Sequence, residues 1–171
     1  THKNSTQAFN CSSETQTSKP LTNISFLLYN ATQLVYNTTQ NISGNFNASL
    51  FNYTFSQEGN YLWNCKAFNN ASELDLADSN FSFNYDATAP TVNLVAPANS
   101  SSYSATSQSV SFEFNVIDAS TILNCSLFIA GIINQSNGTV AVNVSTDFSA
   151  TFGAGNYNWS VLCIDRAFNS V

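Results

Sequence analysis

Acceptor sites for N-linked glycans are the most frequent chemical motif in this sequence. In an Asn-x-Ser/Thr triplet the asparagine amide carries the glycan, so the triplet is typical of a surface position in a secreted protein. The chain contains 25 Asn and 41 Ser plus Thr, a composition that gives roughly 6 triplets by chance. It contains 16, and this excess predicts a glycoprotein. The predicted acceptors are Asn4, Asn10, Asn23, Asn30, Asn37, Asn41, Asn47, Asn52, Asn70, Asn80, Asn99, Asn124, Asn134, Asn137, Asn143 and Asn158.

The cysteines predict disulfide chemistry rather than metal binding. There is no C-x-x-C motif, and the only histidine is His2, so a zinc site is not predicted. An even number of cysteines is typical of small domains in an oxidising, extracellular compartment. The predicted disulfide cysteines are Cys11, Cys65, Cys125 and Cys163.

Three aspartates are candidates for a calcium site. Asp86 lies in a predicted linker, and Asp118 and Asp165 each follow a predicted strand. Carboxylates that converge at one pole of a β-domain suit calcium, but capping of turns is the favoured interpretation. No metal and no cofactor other than covalent N-linked glycans is therefore predicted, with calcium at these three residues as the alternative.

Catalysis is not predicted. Nucleophilic catalysis needs a Ser, Cys or Thr activated by a base, and the single histidine lies at the second position of the chain. Glu73, Asp75 and Asp78 cluster in the sequence, but this segment is interpreted as a solvated loop. The chain is expected to be a non-enzymatic protein.

A short pattern that occurs twice indicates the elements that position these residues. Residues 59–65 read GNYLWNC and residues 155–163 read GNYNWSVLC, and each copy is followed by Ala-Phe-Asn. Aromatic and apolar residues on alternate positions predict a strand with one buried face. Two related β-domains are expected, at 1–86 and 91–171, with a linker at 87–90. Of the three possible pairings, Cys11–Cys65 and Cys125–Cys163 are favoured, because each pair lies within one repeat.

Period-2 alternation continues along the chain and predicts an all-β fold of two tandem antiparallel β-sandwiches, with a single larger sandwich or barrel as the alternative. Seven sequons are expected inside strands in the outward phase: Asn10, Asn23, Asn52, Asn80, Asn124, Asn143 and Asn158. The predicted strands are 6–13, 21–29, 34–36, 48–55, 60–68, 80–85, 91–96, 109–117, 121–129, 138–144, 148–152 and 156–165.

Composition excludes several classes of function. Only 8% of residues are charged and the net charge is −6, so no basic surface for nucleic acid is available. The longest apolar run, 127–133, is too short to span a membrane. With so few charges, glycans on the sheet faces are expected to keep the surface soluble.

Three segments carry a resemblance to a known family. They are Pro90–Pro97 (PTVNLVAP), Leu123–Phe128 (LNCSLF) and Gly155–Asn169 (GNYNWSVLCIDRAFN). This set resembles tandem immunoglobulin-like repeats of archaeal extracellular surface glycoproteins. The resemblance implies two tandem immunoglobulin-like antiparallel β-sandwiches, an extracellular location at the cell surface, and a role as a stalk, a filament or pilus subunit, or a cell-adhesion module.

Each predicted domain lacks one strand of the complete sandwich. The first domain is expected to lack its first strand and the second its last, which leaves backbone unpaired. Either the chain belongs to a longer tandem array, or neighbouring subunits complete each other by strand donation. The predicted function is a structural glycoprotein that assembles end to end with copies of itself or with adjacent repeats. The alternative is an adhesin that recognises carbohydrate or another cell.

Overall fold

The chain folds entirely as β-structure in two compact units, Thr1–Asp86 and Ala87–Val171. The structure is a computed structural model that describes residues 2–15, 18–104 and 106–171. The boundary between the units lies at the start of the predicted linker. The part of the chain so described contains no helix long and apolar enough to cross a membrane.

Thirteen strands make up the two units. In the first unit they are β1 (Thr6–Glu14), β2 (Leu21–Asn30), β3 (Gln33–Asn41), β4 (Phe46–Thr54), β5 (Gly59–Asn69), β6 (Leu74–Leu76) and β7 (Phe81–Tyr85). In the second unit they are β8 (Thr91–Ala96), β9 (Ser107–Ile117), β10 (Ile122–Ile129), β11 (Ile132–Asn137), β12 (Ser145–Gly153) and β13 (Trp159–Asp165).

The first unit is a sandwich of a larger and a smaller antiparallel sheet. The larger sheet has the order β3-β2-β5, and β6 and β7 pair one after the other along the remaining edge of β5. The smaller sheet contains β1 and β4. Side chains at alternate positions of β1 and β4, among them Phe9 and Phe51, pack on Phe26 of β2. All three rings are at most 5% exposed. Trp63 of β5 lies edge-on to Phe9, with 5.3 Å between ring centroids.

The second unit repeats this plan with a different set of outer strands. One sheet has the order β11-β10-β13 and the other the order β12-β9-β8. Phe112 is paired with Phe148 across β9 and β12, as Phe9 is paired with Phe51 in the first unit. Trp159 lies edge-on to Phe112 at 5.1 Å, which fixes the correspondence between the two units. The predicted all-β, immunoglobulin-like sandwich fold is confirmed.

The two disulfides are Cys11–Cys65 and Cys125–Cys163, the pairs that the repeat favours. The first joins β1 to β5 and therefore links the two sheets. The second joins β10 to β13, which are neighbours in one sheet, at residues directly opposite each other. The two bridges are thus not equivalent.

The correspondence set by the tryptophans shows what replaces each bridge in the other unit. Counting from Phe9 and Phe112, and from Trp63 and Trp159, the Cys11–Cys65 bridge corresponds to Phe114 and Val161. The Cys125–Cys163 bridge corresponds to Ile24 and Ala67, which are likewise directly paired and at most 3% exposed. At the position where one sandwich has a disulfide, the other therefore has a pair of apolar side chains.

Two of the predictions for the second unit, at 121–129 and 138–144, differ from the structure in the region of β10 and β11. Residues 138–144 are not a strand; the strand is β11, and turns follow it. Asn143 has a left-handed backbone (φ 59°), which does not continue a strand. In β10 a register shift next to Ile122 makes that residue 5% exposed, so it, and not Leu123, belongs to the core.

The first unit also departs from the pattern at its ends. The segment 69–79, predicted as a loop, contains the short strand β6. The predicted strand at 34–36 is longer and extends over β3. Phe81 falls in the inward phase but is 57% exposed, because it starts β7 and stacks on the outer face of Trp63 at 5.0 Å.

Replacing the second bridge with its apolar counterpart tests this correspondence. We expect Cys125→Ala with Cys163→Ala to lower the free energy of unfolding of the second unit by about 2–5 kcal/mol. Cys125→Ile with Cys163→Ala copies the Ile24–Ala67 pair and should recover about 1–3 kcal/mol through burial of the isoleucine. Urea unfolding followed by hydrogen exchange in the second unit measures both values. Equal losses in the two variants would contradict the correspondence.

Candidate glycosylation surface and open strand edges

The sequon asparagines are all accessible. Twelve of the 16 are exposed and none is buried. The four half-buried ones are Asn23, Asn47, Asn124 and Asn137. The two buried asparagines, Asn64 and Asn169, both lie outside sequons. No acceptor triplet therefore falls on a buried asparagine.

Of the seven sequons expected inside strands, four lie there and three lie beside a strand. Asn10, Asn23, Asn52 and Asn124 are in β1, β2, β4 and β10. Asn80 and Asn158 directly precede β7 and β13, and Asn143 lies in the turn before β12. All three of these are exposed, so their displacement from the strands leaves the amide accessible.

Two acceptors flank an exposed apolar side chain on the small sheet of the first unit. Leu50 of β4 is 59% exposed, and Asn10 of β1 is directly opposite it. Asn52 lies two residues further along β4, which places it on the same face. Glycans at Asn10 and Asn52 would stand on either side of Leu50.

The buried Asn64, which lies outside any sequon, uses its side chain for internal hydrogen bonds. Its Nδ2 donates to Asn80 Oδ1 (2.8 Å) and to the carbonyl of Ala77 (3.2 Å), and its Oδ1 accepts from the amide of Cys65 (2.6 Å). Every polar atom of this side chain is used internally. It fixes the chain after β6 to β5.

One edge of the first unit's small sheet is open along β1. Thr15 N donates to Asn45 O (2.7 Å) and Phe55 N donates to Ser5 O (2.8 Å), which continues the β1–β4 ladder at odd-numbered residues. The backbone groups of even-numbered residues, such as Ser12, therefore point away from β4. Among the described residues no strand pairs with this edge, whereas in the second unit β8 pairs with the corresponding edge of β9.

A cleft runs beside this open edge. It has a volume of about 200 Å³ and is bounded by β1 on one side and by β6 on the other, with Leu21 and Ala67 among its lining residues. The buried hydroxyl of Ser13 lies in this cleft and has no hydrogen-bond partner among the described residues. The corresponding residue in the second unit is Val116, which is fully buried and faces Val92 of β8.

The second open edge belongs to β13. Cys163 exchanges two backbone hydrogen bonds with Val171, and Asp165 N donates to Asn169 O, so odd-numbered residues of β13 face this edge. The chain from 169 to 171 thus occupies one end of the edge. Within the described ranges, no residue pairs with the edge at Trp159 or Val161.

The missing partner changes the burial of a repeated tyrosine. In the first unit β7 pairs with Gly59–Trp63, and Tyr61 is 5% exposed. In the second unit residues 155–158 belong to no strand, and the corresponding Tyr157 is 50% exposed. The prediction that Tyr157 points inward is therefore wrong, because the strand that would hold its segment in the sheet is not among the described residues.

The three aspartates of the calcium alternative all lie at or after strand ends. Asp86, 4% exposed, ends the first unit. In the second unit the carboxylates of Asp118 and Asp165 lie within 4.8 Å of each other. Asp118 accepts from Ser120 N (2.5 Å), as expected for a turn cap.

Asp165 is fully buried and its carboxylate is occupied by hydrogen bonds. Its Oδ1 accepts from the amides of Ala167 (2.6 Å) and Asn169 (2.9 Å), and its Oδ2 accepts from Asn169 Nδ2 (2.9 Å). These bonds form the tight turn at Ala167–Asn169, whereas the first copy of Ala-Phe-Asn, residues 67–69, lies in β5. In the first unit Asn69 has this role, because its Oδ1 accepts from Ala71 N and Glu73 N at 3.0 Å each.

The acidic segment in the first unit is solvent-exposed, as predicted. Glu73, Asp75 and Asp78 are all exposed. Glu73 pairs with Lys19, and the hydrogen bond from this lysine lowers the pKa of the glutamate carboxyl from its ordinary value. The group is a surface ion pair at the wall of the cleft.

Comparisons with known proteins are sparse. No protein-family model matches the chain, and no curated protein sequence matches it. A similar solved structure is that of the fibronectin(III)-like modules of CbhA from Clostridium thermocellum. It has 16% sequence identity and a TM-score of 0.47, and the match covers 99% of this chain and 82% of that one.

Calcium is expected to leave the melting temperature unchanged. A calcium ion at Asp165 would have to displace the three hydrogen bonds that its carboxylate accepts, at a cost of about 1–3 kcal/mol for each buried donor left unpaired. Calorimetry in millimolar calcium and in a chelator provides the comparison. A melting temperature that rises and saturates with calcium concentration would establish the calcium alternative instead.

Proposed function

We propose that the chain is a non-enzymatic structural glycoprotein of the cell surface that assembles end to end into an extracellular filament or stalk. The observation that carries this proposal is that no asparagine of an acceptor triplet is buried. The acceptor triplets occupy accessible positions throughout both units, and the buried asparagines are outside them. Neutral glycans on these positions replace the charges that ordinary domains use for solubility.

The disulfides support the extracellular part of the proposal. All four cysteines are paired, and none is free. Two such bridges are consistent with an oxidising compartment, where structural disulfides persist. Each is expected to stabilise its unit by about 4 kcal/mol by constraining the unfolded chain.

The two open edges support linear assembly. The first unit is open along β1 and the second along β13, and these are different strands of the same sandwich plan. A contact between two different surfaces propagates when it does not close into a ring, and backbone edges pair readily with an added strand. Glycans on the sheet faces would restrict contacts to strand edges, among which β1 and β13 each lack a neighbour that the corresponding strand of the other unit has. Pairing of strands between neighbouring molecules or adjacent repeats is the proposed means of assembly.

Removing two acceptors tests whether glycans keep the sheet face separate from the assembly contact. In a host that attaches N-linked glycans, Asn10→Gln with Asn52→Gln should lower the intact mass by two glycans and expose Leu50. We expect this variant to associate laterally, seen as thick bundles in electron micrographs and as increased light scattering. The matched control is Asn45→Gln with Asn60→Gln, which changes two exposed asparagines outside sequons.

The outcomes separate the parts of this proposal. Single filaments of the unchanged protein together with bundles of the double variant support it. An unchanged mass in the variant would show that these two acceptors are not modified. A stable, discrete monomer of the glycosylated chain at all concentrations would overturn the end-to-end assembly.

The alternative function, an adhesin, is favoured by one observation. An adhesin that binds carbohydrate presents aromatic side chains on loops and turns, and three such residues are at least half exposed here: Tyr103 at 53%, Tyr157 at 50% and Phe168 at 63%. The aromatic residues inside the sandwiches are mostly accounted for by the core. These three are not.

A glycan array distinguishes the adhesin from the structural protein. The structural proposal predicts no glycan that is bound above background by the folded chain. Specific binding that is lost in Tyr103→Ala or Phe168→Ala, with an unchanged melting temperature, would instead establish the adhesin. Ser102→Ala is a suitable control for Tyr103→Ala, because it alters the same exposed loop without removing an aromatic ring or a sequon.

A further inference from the structure

The Ser or Thr that completes each acceptor triplet is exposed in thirteen of the 16 sequons and buried in the other three. The triplets with a buried hydroxyl residue are those of Asn23, Asn47 and Asn124, which end at Ser25 (2% exposed), Ser49 (5%) and Ser126 (6%). An Asn-x-Ser/Thr triplet is an acceptor only with its hydroxyl, so the enzyme that attaches the glycan has to reach the hydroxyl as well as the amide. An accessible asparagine is therefore not sufficient for modification.

Two of the buried serines occupy the same position in the two units. Ser25 follows Ile24 in β2, and Ser126 follows Cys125 in β10, and Ile24 and Cys125 correspond to each other. Both strands lie inside their sheets, β2 between β3 and β5 and β10 between β11 and β13. The serines point away from the core, but strands flank them on both sides, and so short a side chain is buried between its neighbours.

Both of these hydroxyls are hydrogen-bonded to the neighbouring edge strand. Ser25 Oγ pairs with Thr39 Oγ1 (2.7 Å), and Ser126 Oγ pairs with Ser136 Oγ (2.8 Å). In each pair the two residues are directly opposite each other, and such cross-strand hydroxyl pairs stabilise a sheet. Asn124 Nδ2 also donates to Ser126 Oγ (3.1 Å), so the acceptor nitrogen of this triplet is used inside the sheet.

Asn47 is held by backbone groups near the start of β4. Its Nδ2 donates to the carbonyl of Ser43 (3.1 Å), and its Oδ1 accepts from the amide of Ala48 (2.8 Å). These partners fix which end of the side-chain amide is the nitrogen, because a carbonyl can only accept and an N–H can only donate. The half-buried nitrogen of Asn47 therefore faces the segment before β4, and Ser49 lies buried in the same phase of the strand.

From these observations we infer that Asn23, Asn47 and Asn124 carry no glycan, and that the thirteen triplets with an exposed hydroxyl are the acceptor set. Glycan transfer forms a bond between the amide nitrogen and the anomeric carbon of an oligosaccharide. It breaks the bond from that carbon to the phosphate of a lipid-linked donor, and the nitrogen gives up one proton. At the three excluded triplets the fold keeps the hydroxyl from the transferase, and at two of them the nitrogen is already a donor within the fold.

This inference rests on the proposed glycoprotein and specifies where its glycans stand. On the larger sheet of the first unit, Asn41 is directly opposite Asn23, and Asn37 lies on the same face, opposite Leu27. Directly opposite side chains are about 5 Å apart, so glycans on both Asn23 and Asn41 would compete for the same space. With Asn23 excluded, glycans on the edge strand β3 cover this face from its margin.

The hydroxyl pair of the first unit provides a matched test. Ser25→Ala and Thr39→Ala remove the same hydrogen bond, and each also removes one triplet, that of Asn23 or that of Asn37. In a host that attaches N-linked glycans, the intact mass of the Thr39→Ala chain should fall by one glycan, whereas the Ser25→Ala chain should lose none. Loss of a glycan from Ser25→Ala, or an unchanged glycan content in Thr39→Ala, would overturn the inference.

The second unit allows the same comparison at an independent site. Ser126→Ala removes the triplet of Asn124 and Ser136→Ala that of Asn134, and both break one hydroxyl pair. Only Ser136→Ala should lower the intact mass by one glycan. Mapping of the modified peptides in the unchanged protein should find Asn134 modified and Asn124 unmodified, and the reverse result would contradict the inference.

A peptide with the sequence of residues 19–28 tests whether the fold or the local sequence excludes Asn23. The transferase of the host, supplied with a lipid-linked oligosaccharide, should modify this peptide. It should leave Asn23 unmodified in the folded chain prepared from a host without the pathway. A peptide that is not modified would show that the local sequence is responsible and would overturn the inference.

Failure of the inference and failure of the proposed function give different results. Glycans at Asn23, Asn47 and Asn124 as well as at the other triplets would overturn the inference and leave the proposed glycoprotein intact. A chain without a glycan at any triplet would overturn the proposed glycoprotein, and the inference with it.

Discussion

The contact between a tryptophan on one sheet and a phenylalanine on the other is the interaction on which each sandwich depends. Trp63 meets Phe9 and Trp159 meets Phe112 edge-on, with centroid distances of 5.3 and 5.1 Å. An edge-to-face pair of large rings fixes both the separation and the register of two sheets. The repeated strand supplies the tryptophan and then a cysteine further along its inward face, so packing and covalent closure follow from one strand.

The cysteines show that covalent closure and apolar packing are interchangeable at a given position of this core. The first unit places its bridge between the sheets and packs Ile24 against Ala67 within one sheet. The second places its bridge at that pair of positions and fills the space between the sheets with Phe114 and Val161. All of these side chains are buried except Cys65, which is half-buried. Each unit needs only one such staple, which agrees with the modest core that a domain of this size can bury.

Alternation of apolar and polar residues was sufficient to predict the sandwich fold and most of its strands, because one face of most long strands is buried. The exception is β3, which has no buried residue. Alternation was sufficient for β1 and β9, where each inward residue is fixed by a cross-sheet neighbour. It failed for Tyr157, because the burial of this residue depends on a strand that pairs beside it and not on its own segment. It failed for Phe81, because this residue starts β7. It failed also at 138–144, where a left-handed Asn143 ends the alternation. The accessibility of the sequons could be predicted for the same reason as the core, since the two sets occupy opposite phases.

The small number of charged residues affects how the surface of this protein responds to pH and salt. Lys19 and Glu73 form a salt bridge in which both side chains are about half exposed. Ion pairs of this kind contribute little and are weakened by salt, so their loss costs the fold almost nothing. Acid protonates few carboxylates here, because the chain has only 10 of them, and stability depends on pH only through groups whose pKa changes on folding. A surface made from neutral amides and hydroxyls would thus keep its solubility across wide ranges of acidity and salinity.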